Sequence, residues 1–160
     1  MDVKLPSRDH GKRAEWVKRS LEHRLIWYAG WELDGVLRLK LGRRLAGAQP
    51  DRVKAELNLM AYCAWRVDAD SGPVAGAEER GEDIQSKITQ CVEGARIVSV
   101  AVTPPSWDAE LHMDNGRCLR LFCSHAGGVP VMSINWQFRN MSQVLTVKAN
   151  SVVTVGCADD

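Results

Sequence analysis

No stretch of this 160-residue sequence approaches the roughly 18 consecutive apolar residues of a membrane-spanning helix. Its start, MDVKLPSRDHGKR, also lacks the apolar run of a secretory signal. Charge excess is missing as well. Against 21 Lys and Arg stand 20 Asp and Glu, a formal net charge of +1, which argues against a dedicated nucleic-acid or membrane-surface protein. Cysteine pairing is absent: Cys63, Cys91, Cys118, Cys123 and Cys157 are an odd number, widely spread, with no CxxC. Most lie in or beside apolar runs, where a free thiol behaves as a small hydrophobe, so a reducing, cytoplasmic setting is the simpler expectation. G-x-S-x-G, Walker A, G-x-G-x-x-G and HExxH are all missing. Tyr and Phe are scarce, two of each, whereas Trp occurs six times, which suits a well-anchored core or a binding surface.

What is present reads as one domain over 1–160, long enough to bury roughly 70% of its unfolded surface. The expected class is α+β: mainly antiparallel sheet, with an N-terminal and a central helix. Ala14, Val17, Leu21 and Leu25, flanked by Trp16, place an amphipathic helix at 12–25 within a helical segment 1–25. A first β-meander is expected over 26–67. There Leu37, Leu39 and Leu41 alternate with Arg38 and Lys40. Leu57, Leu59, Ala61, Cys63, Trp65 and Val67 mark one face of a single long strand; its other face is only partly polar, as in a central strand covered on both sides. Residues 68–83 carry six carboxylates and one Arg and read as an acidic loop, followed by a helix at 82–93 with Ile84, Ile88, Cys91 and Val92 as its stripe. A second meander fills 94–156.

The Asp114-Asn115-Gly116 turn fixes a register. A three-residue loop sets Leu111 opposite Leu119 and Glu110 opposite Arg120, whereas a two-residue loop mixes apolar and charged residues on both faces. A weak internal repeat lays 31–42 over 106–116, matching Leu37 with Leu111, Leu39 with Met113 and Gly42 with Gly116. It continues by matching Leu57 with Leu119, Leu59 with Leu121 and Ala61 with Cys123. Two meanders about a pseudo-two-fold axis would then hold Trp65 and Trp136 in equivalent places; generic strand alternation is the competing explanation.

No catalytic residues, metal ligands or cofactors are assigned. Cys118, Cys123 and His125 come nearest to a metal set, but Cys118 and Cys123 point to opposite faces of an extended strand. Asp68 and Asp70 share a side and could hold a cation, though a solvated strand end is the plainer reading. A small enzyme would have to assemble scattered residues such as Asp108, His112 and Cys123. A nucleic-acid binder would use Lys12, Arg13, Lys18, Arg19, Arg43 and Arg44, with the basic N-terminal helix as its core.

Gly94-Ala95-Arg96-Ile97, Trp107 to Leu111, Asp114-Asn115-Gly116, Leu119 to Phe122, Asn135-Trp136 and the earlier Ala64-Trp65-Arg66-Val67 together resemble small bacterial β-rich proteins. Some of these are immunity proteins encoded beside polymorphic toxins. The resemblance implies a non-enzymatic protein that binds and occludes a cognate toxin domain in the cytoplasm, with no small-molecule substrate and no membrane partner. An acidic segment would complement a toxin's basic cleft. The expected contact is therefore Asp68, Asp70, Glu78, Glu79, Glu82 and Asp83, with Tyr62 and Arg66 on the adjoining strand as anchors.

Overall fold

The Asp9 carboxylate accepts the Lys12 N–H at 3.1 Å, a side-chain cap that starts helix α1 at His10–Leu21. The helix stops before Leu25, which lies outside it and is 39% exposed; Ala14, Trp16, Val17 and Leu21 form the buried stripe. The computed structural model describes residues 9–32, 35–46, 52–79, 83–124 and 133–158. Strands β1 (Ile26–Glu32), β2 (Val36–Ala46), β3 (Lys54–Ala61), β4 (Ala64–Ala69) and β5 (Gly72–Gly76) follow. Helix α2 (Asp83–Val92) precedes β6 (Ile97–Thr103), β7 (Asp108–Met113), β8 (Cys118–Phe122), β9 (Ile134–Arg139), β10 (Gln143–Lys148) and β11 (Val153–Cys157).

The strands form two antiparallel sheets, ordered β1-β2-β3-β9-β10-β11 and β5-β4-β8-β7-β6. A single cluster of buried side chains from both sheets and both helices makes the main core. The α+β class with an N-terminal and a central helix is thus present, but each expected meander divides between sheets. The long strand expected at 57–67 breaks at Tyr62 and Cys63, whose N–H groups both donate to the Asn135 carbonyl, at 2.8 and 2.9 Å. Alternation runs unbroken through the break because β3 and β4 both turn their apolar side to the shared core: Leu57, Leu59, Ala61, Trp65 and Val67 are all buried. The opposite side is half-buried or exposed rather than covered. Part of the expected acidic loop is strand, since Gly72 at φ +122 turns the chain and β5 pairs with β4.

The first three-strand meander therefore lends its next two strands to the other sheet and the second lends its next three, with β1–β5 and β6–β10 following one plan. Leu25 bridges to Arg96 where the halves meet. Around it, His23 N–H donates to the Ile97 carbonyl at 2.8 Å, and Gly94 N–H to the Ile26 carbonyl at 2.7 Å. Both donors have left-handed backbone, φ +68 and +85. The register slips between Ile26 and Tyr28 in β1 and, in the same place, between Ile97 and Ser99 in β6. Glu22, just past α1, accepts from Val100 N–H at 3.3 Å, while Glu93, just past α2, accepts from Ala29 N–H at 3.2 Å. Accordingly α1 packs on β6 and α2 on β1.

Trp65 and Trp136 do occupy equivalent places. Each indole donates across to the carbonyl just before the second strand of the opposite sheet's meander, Trp65 to Gly35 at 2.8 Å and Trp136 to Trp107 at 2.9 Å. The core rows match residue for residue: Ala29–Leu39–Leu59–Phe138–Leu145 in one sheet, Val100–Leu111–Leu119–Val67–Ala75 in the other. Leu39 thus corresponds to Leu111 and Leu59 to Leu119, two residues away from the sequence match. The β7–β8 hairpin has the expected three-residue loop, with Leu111 opposite Leu119, Glu110 opposite Arg120, and Gly116 at φ +79.

Candidate functional site

Since alternate residues of every strand face the core, the remaining ones build an outer face on each sheet. On the five-stranded sheet, Arg66, Arg120 and Glu110 lie in one cross-strand row, and Asp68, Cys118 and His112 in the next. Two arginines directly opposite repel one another. Asp68 resolves this by accepting from Arg66 Nε at 2.7 Å and Nη2 at 3.1 Å, and from Arg120 Nε at 2.9 Å. The Arg66 hydrogen bond, with Arg120 behind it, holds the Asp68 carboxyl below its ordinary pKa. Arg120 Nη1 also donates to Glu110 Oε1. Arg66 lies over the Phe122 ring, 5.3 Å from its centroid, and Phe122 is 39% exposed. Burial pushes the Cys118 thiol up.

The equivalent face of the six-stranded sheet is a groove of about 640 Å³. Among the described residues, five cations line it, Arg38, Lys40, Arg52, Lys54 and Arg139, and no carboxylate does. Arg38 pairs with Glu32 on the neighbouring strand at 3.2 Å. Lys40 is buried, its ammonium 3.0 Å from the Val53 carbonyl and 5.0 Å from the Tyr28 ring centroid. Arg52 and Lys54 are exposed. Between the charges lie Met60, Val144 and the exposed Leu45 and Met141, with no aromatic ring among the described lining residues.

The structure distributes the expected contact residues over several surfaces. Arg66 and Asp68 sit in the charge ladder just described. Asp70 is exposed on the β4–β5 turn, and Glu78 is exposed beyond β5. Glu79 accepts from Lys87 of α2 at 2.8 Å, and Asp83 opens that helix. Glu82 lies outside the described residues, as does His125. Tyr62 is 43% exposed, its hydroxyl 3.6 Å from the Met60 sulfur at the groove. Asp68 faces arginines rather than a cation site shared with Asp70.

Asp108, His112 and Cys123 do not come together as one set. Asp108 accepts the Cys123 N–H at 2.7 Å, whereas His112 faces Glu110 and Cys118. The Cys123 thiol donates to the Trp107 carbonyl at 3.2 Å, and the neighbouring Cys63, together with burial, drives its pKa far up, the reverse of nucleophile activation. The suggested basic patch is also dispersed. Arg13 is buried with its guanidinium on the Val153 carbonyl, Arg19 pairs with Glu15, Arg43 with Glu56, and Arg44 stacks on Trp27. Lys12 is exposed and Lys18 half-buried on α1. No helix among the described residues is long and apolar enough to cross a membrane. No protein family, curated protein or solved structure matches this chain. The groove and the Glu110–His112–Cys118 convergence escaped the sequence reading; the first depends on β3 meeting β9, the second follows from the hairpin register.

Proposed function

We propose that this protein is a non-enzymatic binding module of the toxin-neutralising immunity type, and that it engages its protein partner through the basic groove. One observation carries the reading: among the described residues, five cations and no carboxylate line a concave surface on a chain of net charge +1. Such segregation attracts an anionic partner and speeds its association. Leu45, Met60 and Met141 supply adaptable apolar contact among the charges, as an interface centre needs. Bases would call for exposed aromatic platforms, which the described lining residues do not supply, so an acidic protein surface fits better than single-stranded nucleic acid. The acidic segment contributes less, because Asp68 and Glu79 already have cationic partners within the chain.

The test pairs the protein with a candidate cognate toxin domain and measures association by stopped flow, with single-stranded DNA as a second arm. Arg52→Glu with Lys54→Glu should slow association with the toxin at least tenfold and flatten its salt dependence. Asp70→Lys with Glu78→Lys should change it less than twofold. The opposite ranking returns the contact to the acidic segment. Tight binding of DNA alone, lost in the groove variant, replaces the proposal by the nucleic-acid reading.

A further inference from the structure

Glu110, His112 and Cys118 bring a carboxylate oxygen, an imidazole nitrogen and a thiol sulfur within 4.8 Å of one another. Strand geometry does this: His112 and Cys118 are directly opposite across the β7–β8 hairpin, and Glu110 is the next residue on the same face as His112. Both neighbours meet the same ring nitrogen. His112 Nε2 is 3.3 Å from Glu110 Oε2 and 3.8 Å from Cys118 Sγ. A nucleophile–base–orienter relay requires the carboxylate on one imidazole nitrogen and the thiol on the other, so this is not a proton relay. Three donor atoms converging on one small volume is what a metal ion requires. Tetrahedral bonds of about 2.0–2.3 Å put neighbouring N, O and S ligand atoms about 3.4–3.6 Å apart. The His112–Glu110 and His112–Cys118 separations bracket that range.

We propose that Glu110, His112 and Cys118 bind one divalent transition ion of borderline softness, for which Zn²⁺ is the natural match to a mixed S, N and O donor set. As the sulfur–metal bond forms, the Cys118 thiol passes its proton to solvent, and thiolate plus carboxylate balance the ion's two charges. Arg120 donates to the other Glu110 oxygen and is itself held by Asp68, so an outer layer fixes the carboxylate with Oε2 toward His112. Cys118 is buried at 7%, while the His112 and Glu110 side chains are 47% and 38% exposed, giving the ion a buried anchor and an entry path. A fourth position faces solvent. Equivalent positions on the six-stranded sheet hold Arg38, Lys40 and Asn58, so the twofold plan gives one such site per chain.

The reduced full-length protein is titrated with Co²⁺ and followed by absorption. One equivalent should produce sulfur-to-cobalt charge transfer in the near ultraviolet, the visible bands of four-coordinate cobalt, and a raised melting temperature. Zn²⁺ should displace the cobalt. Cys118→Ser should abolish the charge-transfer band, and His112→Asn and Glu110→Gln should each weaken binding at least tenfold. Cys157→Ser, at an exposed thiol, should leave all of this unchanged. Should Cys118→Ser not fold, the two half-exposed variants decide alone: full affinity in both overturns the proposal. It is equally overturned if the wild type gives no thiolate band, or if the band disappears in Cys157→Ser.

Discussion

Replacing Trp65 or Trp136 by Phe tests whether their equivalence extends to energetics. Both indoles are buried, at 2% and 1% exposure, and each donates one hydrogen bond to a main-chain carbonyl. Trp→Phe removes three ring atoms, worth about 2 kcal/mol of burial and packing at either site. The lost hydrogen bond adds about 1 kcal/mol. The carbonyls left behind then differ. Trp107 O keeps the Cys123 thiol as a donor at 3.2 Å. No second side-chain donor reaches the Gly35 carbonyl among the described residues. A buried acceptor without its donor costs about 1 kcal/mol more. Trp65→Phe should therefore cost about 4 kcal/mol and Trp136→Phe about 3, read from urea midpoints at a shared slope. Adding Cys123→Ala to Trp136→Phe should cost more than the two single changes together, because the combination strips the Trp107 carbonyl. Equal costs for the two Trp variants, or strict additivity with Cys123→Ala, refute the reasoning.

Two further expectations concern acid and glycine. The Arg43 main-chain N–H lowers the Glu56 pKa from 4.5, and Arg66 and Arg120 lower that of Asp68 from 3.8. Depressed folded values stabilise above the unfolded pKa, and the gain is lost as pH falls through the folded one. The urea midpoint should thus hold from neutral pH down to about 5 and then fall, and Glu56→Gln or Asp68→Asn should each shallow that fall; an unchanged acid limb in both would contradict the pairing. Gly116→Ala meets nothing within 4 Å and should cost only the left-handed strain, about 1 kcal/mol. Gly42→Ala, at φ +74, also puts its Cβ 2.7 Å from Glu56 Oε2 and should cost about 2 kcal/mol or more by displacing the carboxylate from Arg43. Thermal or urea unfolding ranks the two.

Alternation was enough to fix the β7–β8 register, because a one-residue slip there would bury Arg120 and expose Leu119. The same period of two hid the true repeat. A two-residue shift keeps every apolar side chain facing inward, so Leu39 matched Met113 as readily as Leu111. What separates the choices is backbone detail without a hydropathy signature: the bulges in β1 and β6, and the left-handed Gly35 and Trp107 that accept the two indole bonds. The exchange of strands between sheets was invisible for a related reason, since Tyr62 and Cys63 change partners without changing which side faces the core. Strand β5 was hidden by Gly72, Pro73 and Gly76, ordinary turn residues that serve here at a sheet edge. Cys118 was weighed against Cys123 and His125, its neighbours in sequence, although the expected hairpin already set it opposite His112. The groove had no local signal, because Arg38 and Lys40 alternate like any solvated strand face until Gln137 and Arg139 arrive beside β3.

The paired rows Arg38–Met60–Gln137 and Lys40–Asn58–Arg139 on one sheet occupy the same backbone frame as Glu110–Arg120–Arg66 and His112–Cys118–Asp68 on the other. One molecule thus offers two copies of a single socket, six positions each, one cationic and the other charge-balanced. In a symmetric dimer of half-length chains, any change to one socket would be forced on the other. Joining the halves through α2 removes that coupling. One copy serves as an internal reference for the other: a side chain moved from 110, 112 or 118 to 38, 40 or 58 keeps its backbone geometry and changes only its neighbours. A difference in behaviour between the two faces then traces to the side chains around the shared frame and to β11, which only the six-stranded sheet has.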